Sequence, residues 1–295
     1  MNSYNSTMPT EVRQLAPQAF PALLTEIPDP PTQLFIRGVL PDPDLKYLCV
    51  VGSRKLSSYG RAVVHELIEG LAGYPIAIIS GLALGTDAAA HQAALAADLP
   101  TVAVPGSGLA EQVLYPRTNL RLAREILEHG GALLSEFEPN FRATAYSFPQ
   151  RNRIMAGMSH ATLIIEATER SGTLITARLA MEYNRDVLAV PGSILSAQSR
   201  GPHMLIKNGA TPIESAADIL DALHIKTPSI EQGSIPLSPE ERRIAEILTE
   251  PCSRDEIIAQ LALPVHEASA LLSALEIKGC VREEMGMLHW CASPV

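Results

Sequence analysis

The chain has 295 residues, of which 46% are hydrophobic and 19% charged, a composition sufficient for one large domain and one small one. It contains no apolar run near the roughly 18 residues that a membrane span needs, and its N-terminus lacks the pattern of a secretory signal. We therefore expect a cytoplasmic protein that does not insert into membranes. The net charge of −9 argues against a uniformly basic surface that coats DNA.

Residues 1–31 are rich in proline and weakly patterned, so we interpret them as an extended lead-in, and the run 28–38 favours an edge strand. In residues 32–225, short β-branched runs alternate with helix-like stretches. This alternation predicts an α/β, Rossmann-like domain whose parallel sheet is covered on both faces. The predicted strands are 46–51, 76–79, 101–104, a weaker one at 132–137, 161–167 and 187–190. The predicted helices are Gly60–Leu71, Thr86–Ala97, Thr118–His129 and Thr173–Asn184.

Residues 226–237 are rich in Pro, Gly, Ser and Thr, which predicts a linker to a small domain at 238–295. Ser238 to Glu241 has the pattern of a capped helix start, and the run from Ser253 to Glu256 repeats it. A third helix is predicted at 265–278, and two short strands follow around Gly286. Three helices and a hairpin are typical of a winged helix.

The four cysteines form no C-x-x-C pair, which favours reduced thiols in a cytosolic chain. A bolder interpretation places Cys252, Cys280, His289 and Cys291 around zinc, with Cys49 apart from them. Their spacing fits no compact zinc finger, so we expect no metal.

Glycine-containing turns follow nearly every predicted strand. Because parallel strands end along one edge, these turns meet where α/β sheets bind ligands. Glycine lets an anion approach the backbone, and the N–H groups of helix starts attract it, although a single turn is weak evidence. The turns are Gly52-Ser53-Arg54, Ser80-Gly81, Pro105-Gly106-Ser107-Gly108, Ser171-Gly172-Thr173 and Pro191-Gly192-Ser193. Five of them along one edge predict a phosphate-binding rim.

The densest group of candidate binding residues is Phe148, Arg151, Asn152 and Arg153. Arg151 and Arg153 do not share a helix face, so one can hold phosphate while the other forms an internal pair. Phe148 lies among polar neighbours, where a base can stack on it. The alternative is that Phe148 belongs to the core and the arginines to structural ion pairs.

Four further residues extend this basic rim. Arg54 follows the first strand of the parallel sheet, and its guanidinium suits phosphate better than an ammonium group does. Arg117, Asn119 and Lys207 are the other candidates for the same surface.

Catalytic interpretations are weaker. Asp87 and His91 lie four residues apart on a helix and form either an acid–base pair or, as we favour, a structural contact. Glu136 and Glu166 lie near strand ends and are further candidates for catalytic carboxylates. The run starting at Gly106 resembles a dinucleotide fingerprint but ends in Glu and follows a later strand. We expect no catalytic residue and no cofactor.

Taken together, several motifs closely resemble the DNA-processing protein A family, also called DprA or Smf. The matching motifs are Val51–Arg54, Ser80–Asp87 with His91, Phe148–Ile154, Glu166-Ala167 followed by Ser171–Thr173, and Pro191–Ser193. The resemblance extends from about Phe20 to the C-terminus. Many members carry a helical, sterile-alpha-motif-like domain before this region, which we do not expect here.

The resemblance implies a homodimeric, non-enzymatic protein that binds single-stranded DNA, protects incoming DNA and loads the RecA recombinase during natural transformation. The residues that it places in or beside the DNA pocket are Gly52, Ser53, Arg54, Phe148, Arg151 and Arg153. The resemblance also implies that the turns Ser80-Gly81 and Ser171-Gly172-Thr173 form the floor of this DNA pocket. The third helix of the winged helix is acidic with an apolar stripe, which favours protein contact or modulation over reading duplex DNA.

Two alternatives have different consequences. A nucleotide-processing enzyme on the same fold, such as a phosphoribohydrolase, would use Asp87 or Glu166. Those enzymes usually carry a Pro-Gly-Gly-x-Gly-Thr loop, whereas this chain has Pro105-Gly106-Ser107-Gly108-Leu109. A pure protein scaffold would leave the glycine turns and the arginines unexplained.

Overall fold

The computed structural model describes residues 11–226, 237–248, 252–261, 263–284 and 286–290. The chain divides after Lys226 into two compact units. Most of the predicted linker, residues 227–236, lies outside the described residues, as do residues 1–10 of the predicted lead-in.

The first unit alternates strands and helices as expected. Its strands are β1 (Arg13–Gln14), β2 (Phe35–Gly38), β3 (Lys46–Val51), β4 (Ile76–Ser80), β5 (Thr101–Ala103), β6 (Ala132–Ser135), β7 (Ala161–Ile164), β8 (Asp186–Ala189) and β9 (Thr211–Pro212). Its helices are α1 (Ala22–Thr25), α2 (Ser58–Glu69), α3 (Thr86–Ala96), α4 (Leu120–Glu128), α5 (Ser147–Met158), α6 (Thr173–Glu182), α7 (Arg200–Lys207) and α8 (Ala216–Ala222). All six predicted strands and all four predicted helices are present; β3 has the predicted bounds, and each of the others is shifted at one end or both.

Within residues 11–226, the strands form one sheet in the order β1-β2-β6-β5-β4-β3-β7-β8-β9. The strands from β6 to β9 in this order are parallel, whereas β1 and β2 pair antiparallel at one side. The chain winds outward from β3 through β4, β5 and β6, then returns to place β7 on the other side of β3. The order therefore reverses between β3 and β7.

The strand predicted in the run 28–38 is present as β2, but it is not at the edge of the sheet. Residues Arg13 and Gln14 pair with its outer side, and the amide of Leu15 continues this pairing by donating to the carbonyl of Leu34 at 2.8 Å. A strand of two residues has too short a pattern to be recognised in the sequence.

Both faces of the sheet are covered, as the continuous apolar runs predict. In β3, Cys49 and Val51 point into a core beneath α5 and α6, whereas Leu48 and Val50 point into the core beneath α2 and α3. This alternation of faces on an all-buried strand explains why the run carries no polar residue after Lys46.

The N-terminal segment packs into the first of these cores. Leu24 is completely buried, and Leu15 and Ile27 are nearly so. The helix α5 approaches closely at Gly157, where an added Cβ would lie 3.0 Å from the side chains of Leu24 and Ile27. The described part of the expected lead-in, residues 11–31, thus belongs to the folded layer on this face.

The second unit has the winged-helix fold. Its elements are α9 (Pro239–Ile247), β10 (Cys252–Ser253), α10 (Arg254–Leu261), α11 (Val265–Ile277), β11 (Val281–Glu284) and β12 (Met287–Trp290). Its described strands pair in the order β10-β12-β11. The predicted capping box is present, because Ser238 and Glu241 each accept a hydrogen bond from the other's backbone N–H.

Among the residues that the structure describes, no helix is both long enough and apolar enough to cross a bilayer.

Replacing Leu24 with Ala tests whether the N-terminal segment is integral to the first unit. The substitution leaves a cavity against α5, so the free energy of unfolding should fall by about 2–5 kcal/mol in urea titrations. The control is Leu195→Ala, since the Leu195 side chain is 92% exposed and should change stability little. Equal, small effects of the two substitutions would show that the segment is only loosely attached.

Candidate nucleic-acid interface

The carboxyl ends of β3 and β7 border a cavity of about 670 Å³. This is the point where the strand order reverses, the usual ligand site of an open α/β sheet, and its volume is in the range of small-molecule sites. Gly52, Ser53 and Arg54 line one wall, and the turn Ser171–Thr173 lines another. The two turns are joined, because the Thr173 hydroxyl donates to the carbonyl of Gly52 at 3.0 Å.

The loop before α3 fixes the backbone of the Arg54 turn. The amide of Thr86 donates to the carbonyl of Ser53 at 3.1 Å. Gly85 has a φ of +77° and lies directly against the backbone of Ser53 and Arg54, so only glycine suits both its conformation and its surroundings. Arg54 is therefore an exposed side chain on a fixed backbone. The sequence did not predict that Gly85 packs against the backbone of the Arg54 turn. Its position within the motif Ser80–Asp87 was the one indication of such a role.

An exposed cation covers an aromatic ring at the mouth of the cavity. The Cζ atom of Arg54 lies 5.1 Å from the ring centroid of Phe148, which is half-buried. Gly106 lies against the same ring, since an added Cβ would be 2.7 Å from its Cδ1 atom. The hydroxyl of Ser147 donates to the carbonyl of Gly106 at 2.6 Å and so anchors the start of α5 beside this turn.

The floor of the cavity contains a buried ion pair. Nη1 of Arg151 lies 3.9 Å from Oδ2 of Asp87, and the Arg151 side chain is only 5% exposed. The same Nη1 donates to the carbonyl of Val104 at 2.6 Å. Burial lowers the pKa of Arg151 and raises the pKa of Asp87, while the attraction between the two charges opposes both shifts.

Most of the residues expected at a DNA site lie together around this cavity. Those that line it are Gly52, Ser53, Arg54, Phe148, Arg151, Asn152, Ser171, Gly172 and Thr173. Ser80 and Gly81 are buried beneath the floor, where the hydroxyl of Ser80 donates to the carbonyl of Val50 at 2.6 Å. Gly106 lies behind Phe148 rather than in the wall.

Arg153, by contrast, lies outside the lining of the cavity and forms an internal pair. It bonds the carboxylate of Glu136 and lies 3.6 Å from that of Asp29. Because Arg151 and Arg153 do not share a helix face, the sequence allowed one of them to form an internal ion pair. Arg153 forms such a pair. Because Arg151 is also paired, the exposed guanidinium at the mouth belongs to Arg54.

The three remaining candidates also lie outside the cavity lining. Arg117 donates to the carbonyl of Glu111. Asn119 is buried and donates to the carbonyls of Leu82 and Ala83 at 2.9 and 3.1 Å, so it braces the loop before α3. Lys207 is exposed at the end of α7.

The residues weighed as acids and bases have structural partners. His91 is fully buried, its Nδ1 lies 2.7 Å from the hydroxyl of Thr101, and burial lowers its pKa to about 3. This is the structural contact favoured over an acid–base pair with Asp87. Glu166 accepts hydrogen bonds from the amide and hydroxyl of Ser57 at 3.0 and 2.5 Å, where it supports the start of α2.

No group of three His, Cys, Asp or Glu side chains among the described residues is arranged to hold a metal ion. Cys291, one of the residues weighed for zinc, lies outside the described residues.

Sequence reasoning missed several residues at or beside the cavity. Lys55 and Gln198 line it, and the amide of the Gln198 side chain donates to the carbonyl of Lys55 at 3.3 Å. Tyr115 lies outside the lining but contacts Phe148, with the ring centroids 5.8 Å apart. Lys55 could have been predicted from its position next to Arg54 in the sequence. For Tyr115, the sequence offered only its closeness to the candidate Arg117.

Replacing Gly81 with Ala tests the packing of the floor. The new methyl group would collide with the buried guanidinium of Arg151 and with Asp87, so the free energy of unfolding should fall by about 1–3 kcal/mol. The matched control is Gly172→Ala, because an added Cβ there meets nothing within 4 Å. A Gly81→Ala variant as stable as the control in denaturant titrations would contradict the described floor.

Comparison with known proteins places this arrangement in a family. A model of the family described as DNA recombination-mediator protein A matches residues 12–224, and a model of the DprA winged helix domain matches residues 228–287. Protein Smf of Escherichia coli strain K12 is 39% identical over 273 residues, which cover 89% of this chain and 72% of that protein.

Two solved structures share the fold. DNA processing protein A of Streptococcus pneumoniae matches with a TM-score of 0.66 and 40% identity, covering 72% of this chain and 75% of that one. DNA processing protein A of Helicobacter pylori, whose structure was described for its single-stranded DNA binding mode, matches with a TM-score of 0.63 and 27% identity, covering 72% and 96%. The chain therefore belongs to the DNA recombination-mediator protein A family, as its motifs predicted.

Proposed function

We propose that the first unit binds single-stranded DNA at the cavity between β3 and β7. The observation that carries this proposal is the exposed guanidinium of Arg54 above Phe148, at the mouth of a cavity built from glycine turns. The description of the Helicobacter pylori relative as a single-stranded DNA binder supports it.

The chemistry of this mouth suits an unpaired strand better than a duplex. Arg54 and Lys55 are exposed cations on one turn, and an aromatic ring lies beside them. Unpaired strands are held by phosphate contacts together with stacking of bases on aromatic groups, and this mode tolerates any sequence. In a duplex the base faces are already stacked and inaccessible to such a ring.

We extend the proposal to a recombination mediator that protects incoming DNA and loads RecA in the cytoplasm of a transformable cell, acting as a homodimer. The family description supports the role of recombination mediator, and the other roles rest on what the resemblance of the sequence motifs implies. An apolar groove of about 330 Å³ between α6 and α7, bordered by the exposed Met181 and Met204, offers a surface for a protein contact.

The proposal is for a binding protein rather than an enzyme. Asp87 is the one acidic side chain among the described lining residues, and it is held against Arg151. Glu166, the other carboxylate weighed for a phosphoribohydrolase, is engaged with Ser57. Turnover of a mononucleotide would favour the enzyme instead.

The winged-helix unit is proposed to contact protein or to modulate the DNA site. In this unit Arg254 pairs with Glu276 and Glu283, and Lys278 lies 2.7 Å from a carboxylate oxygen of Glu241. These basic groups are already neutralised, and residues 238–295 hold ten acidic against five basic side chains. A surface of this charge repels phosphates.

The test is a titration of labelled oligo-dT and of duplex of equal length at two salt concentrations. We expect tighter binding of the single strand and an affinity that falls with salt. Arg54→Ala should weaken binding of any single-stranded sequence and reduce the slope of log K against log salt by about one. The control is Arg178→Ala, a 68% exposed arginine outside the cavity lining. Equal affinities of the two variants would reject the proposed site.

A second prediction concerns the winged helix. A chain that ends at Lys226 retains the whole cavity and all described core residues of the first unit, so it should keep most of the affinity for oligo-dT. Fluorescence anisotropy of the full and shortened chains measures this. A near-total loss of binding in a shortened chain that is still folded by circular dichroism would show that the second unit forms part of the site.

A further inference from the structure

We propose that Tyr115 is a second stacking platform, which takes the first base outside the cavity. The inference rests on the proposed function, since it assigns a further binding residue to the same strand. None of the motifs or comparisons described above assigns Tyr115 a role.

The first step is that the ring of Phe148 is already in contact with other groups. Gly106 lies against it, and the guanidinium of Arg54 covers it at 5.1 Å. A base can stack on Phe148 only after this guanidinium moves away, for example to a phosphate. In the described state, Phe148 therefore offers little open aromatic surface.

The second step is that Tyr115 offers such a surface. Its side chain is 49% exposed, and its ring is tilted by 56° against that of Phe148. The backbone that follows it is fixed, because Arg117 donates to the carbonyl of Glu111 and Asn119 donates to that of Leu82. A half-exposed ring held by its neighbours loses little conformational entropy when a base stacks on it.

The third step is the charge around this ring. The carboxylate of Glu111 is paired with Arg124 at 2.9 Å and lies 3.6 Å from Arg37. These guanidinium groups offset its negative charge and lower its pKa. Arg117, two residues after Tyr115, also donates to the carbonyl of Glu111, so three guanidinium groups gather around Glu111 in this segment, a charge balance that suits the phosphates of a strand leaving the cavity.

The tilt between the two rings indicates how the strand passes. The rings of Tyr115 and Phe148 are tilted by 56° against each other, so two bases that each stack on one ring cannot lie parallel to one another as stacked bases do. Successive bases therefore reach the two positions unstacked from each other. This geometry selects a flexible single strand and excludes a rigid stacked one.

The experiment measures oligo-dT affinity and tryptophan emission of the full chain. Tyr115→Leu should weaken binding about tenfold, whereas Tyr115→Phe should stay within about twofold, because stacking needs the ring and not the hydroxyl. In Tyr115→Trp the new indole should be quenched when oligo-dT binds. The wild-type chain, with Trp290 as its single tryptophan, gives the baseline.

The matched control is Tyr59, whose side chain is also 49% exposed but donates to the carbonyl of Pro191 instead of contacting Phe148. Tyr59→Leu should leave affinity unchanged, and Tyr59→Trp should not be quenched. Unchanged affinity of Tyr115→Leu, or an unquenched Tyr115→Trp at saturation, overturns the inference alone. A wild-type chain that leaves oligo-dT unbound overturns the proposed function and this inference with it.

Discussion

The position of the candidate site depends on the reversal of strand order between β3 and β7. β3 and β7 are parallel neighbours, but the loop after β3 leads to α2 on one face of the sheet and the loop after β7 leads to α6 on the other. The two loops therefore diverge, and the cavity lies between them. The hydrogen bond from the Thr173 hydroxyl to the carbonyl of Gly52 joins the two loops. The ligand position is thus a consequence of winding order, and the side chains determine which ligand is bound.

The pair of Asp87 and Arg151 is a second fixed feature. It connects α3 to α5 across the floor, and its cost of desolvation is tolerated because each group has further partners, the amide of Ala83 and the carbonyl of Val104. Since Phe148 and Asn152 lie on the same helix as Arg151, holding this arginine also positions them. The buried ion pair therefore helps to position the side chains at the mouth of the cavity, although neither of its members is exposed there.

The sequence was sufficient for the sheet and for most of the cavity lining, because buried parallel strands are continuous apolar runs and their ends meet at one edge. The sequence was insufficient to predict ion pairs and hydrogen bonds between residues that are far apart along the chain. Nothing near Arg153 indicates that Glu136 and Asp29 neutralise it, and nothing near Asn119 indicates that it braces Leu82. Segments of two to four residues, such as β1 and α1, have too few positions to show periodicity, so the sequence did not reveal that they pair with the sheet or pack against its core.

The guanidinium of Arg54 has two possible partners that exclude each other, the ring beneath it and a phosphate in front of it. In the proposed function, an incoming strand replaces an existing contact instead of adding one, so the free energy gained per nucleotide is smaller than the new contact alone implies. When the strand departs, the guanidinium can cover the Phe148 ring again. Under the same proposal, binding that replaces an existing contact is weaker and more readily reversed than binding that only adds one.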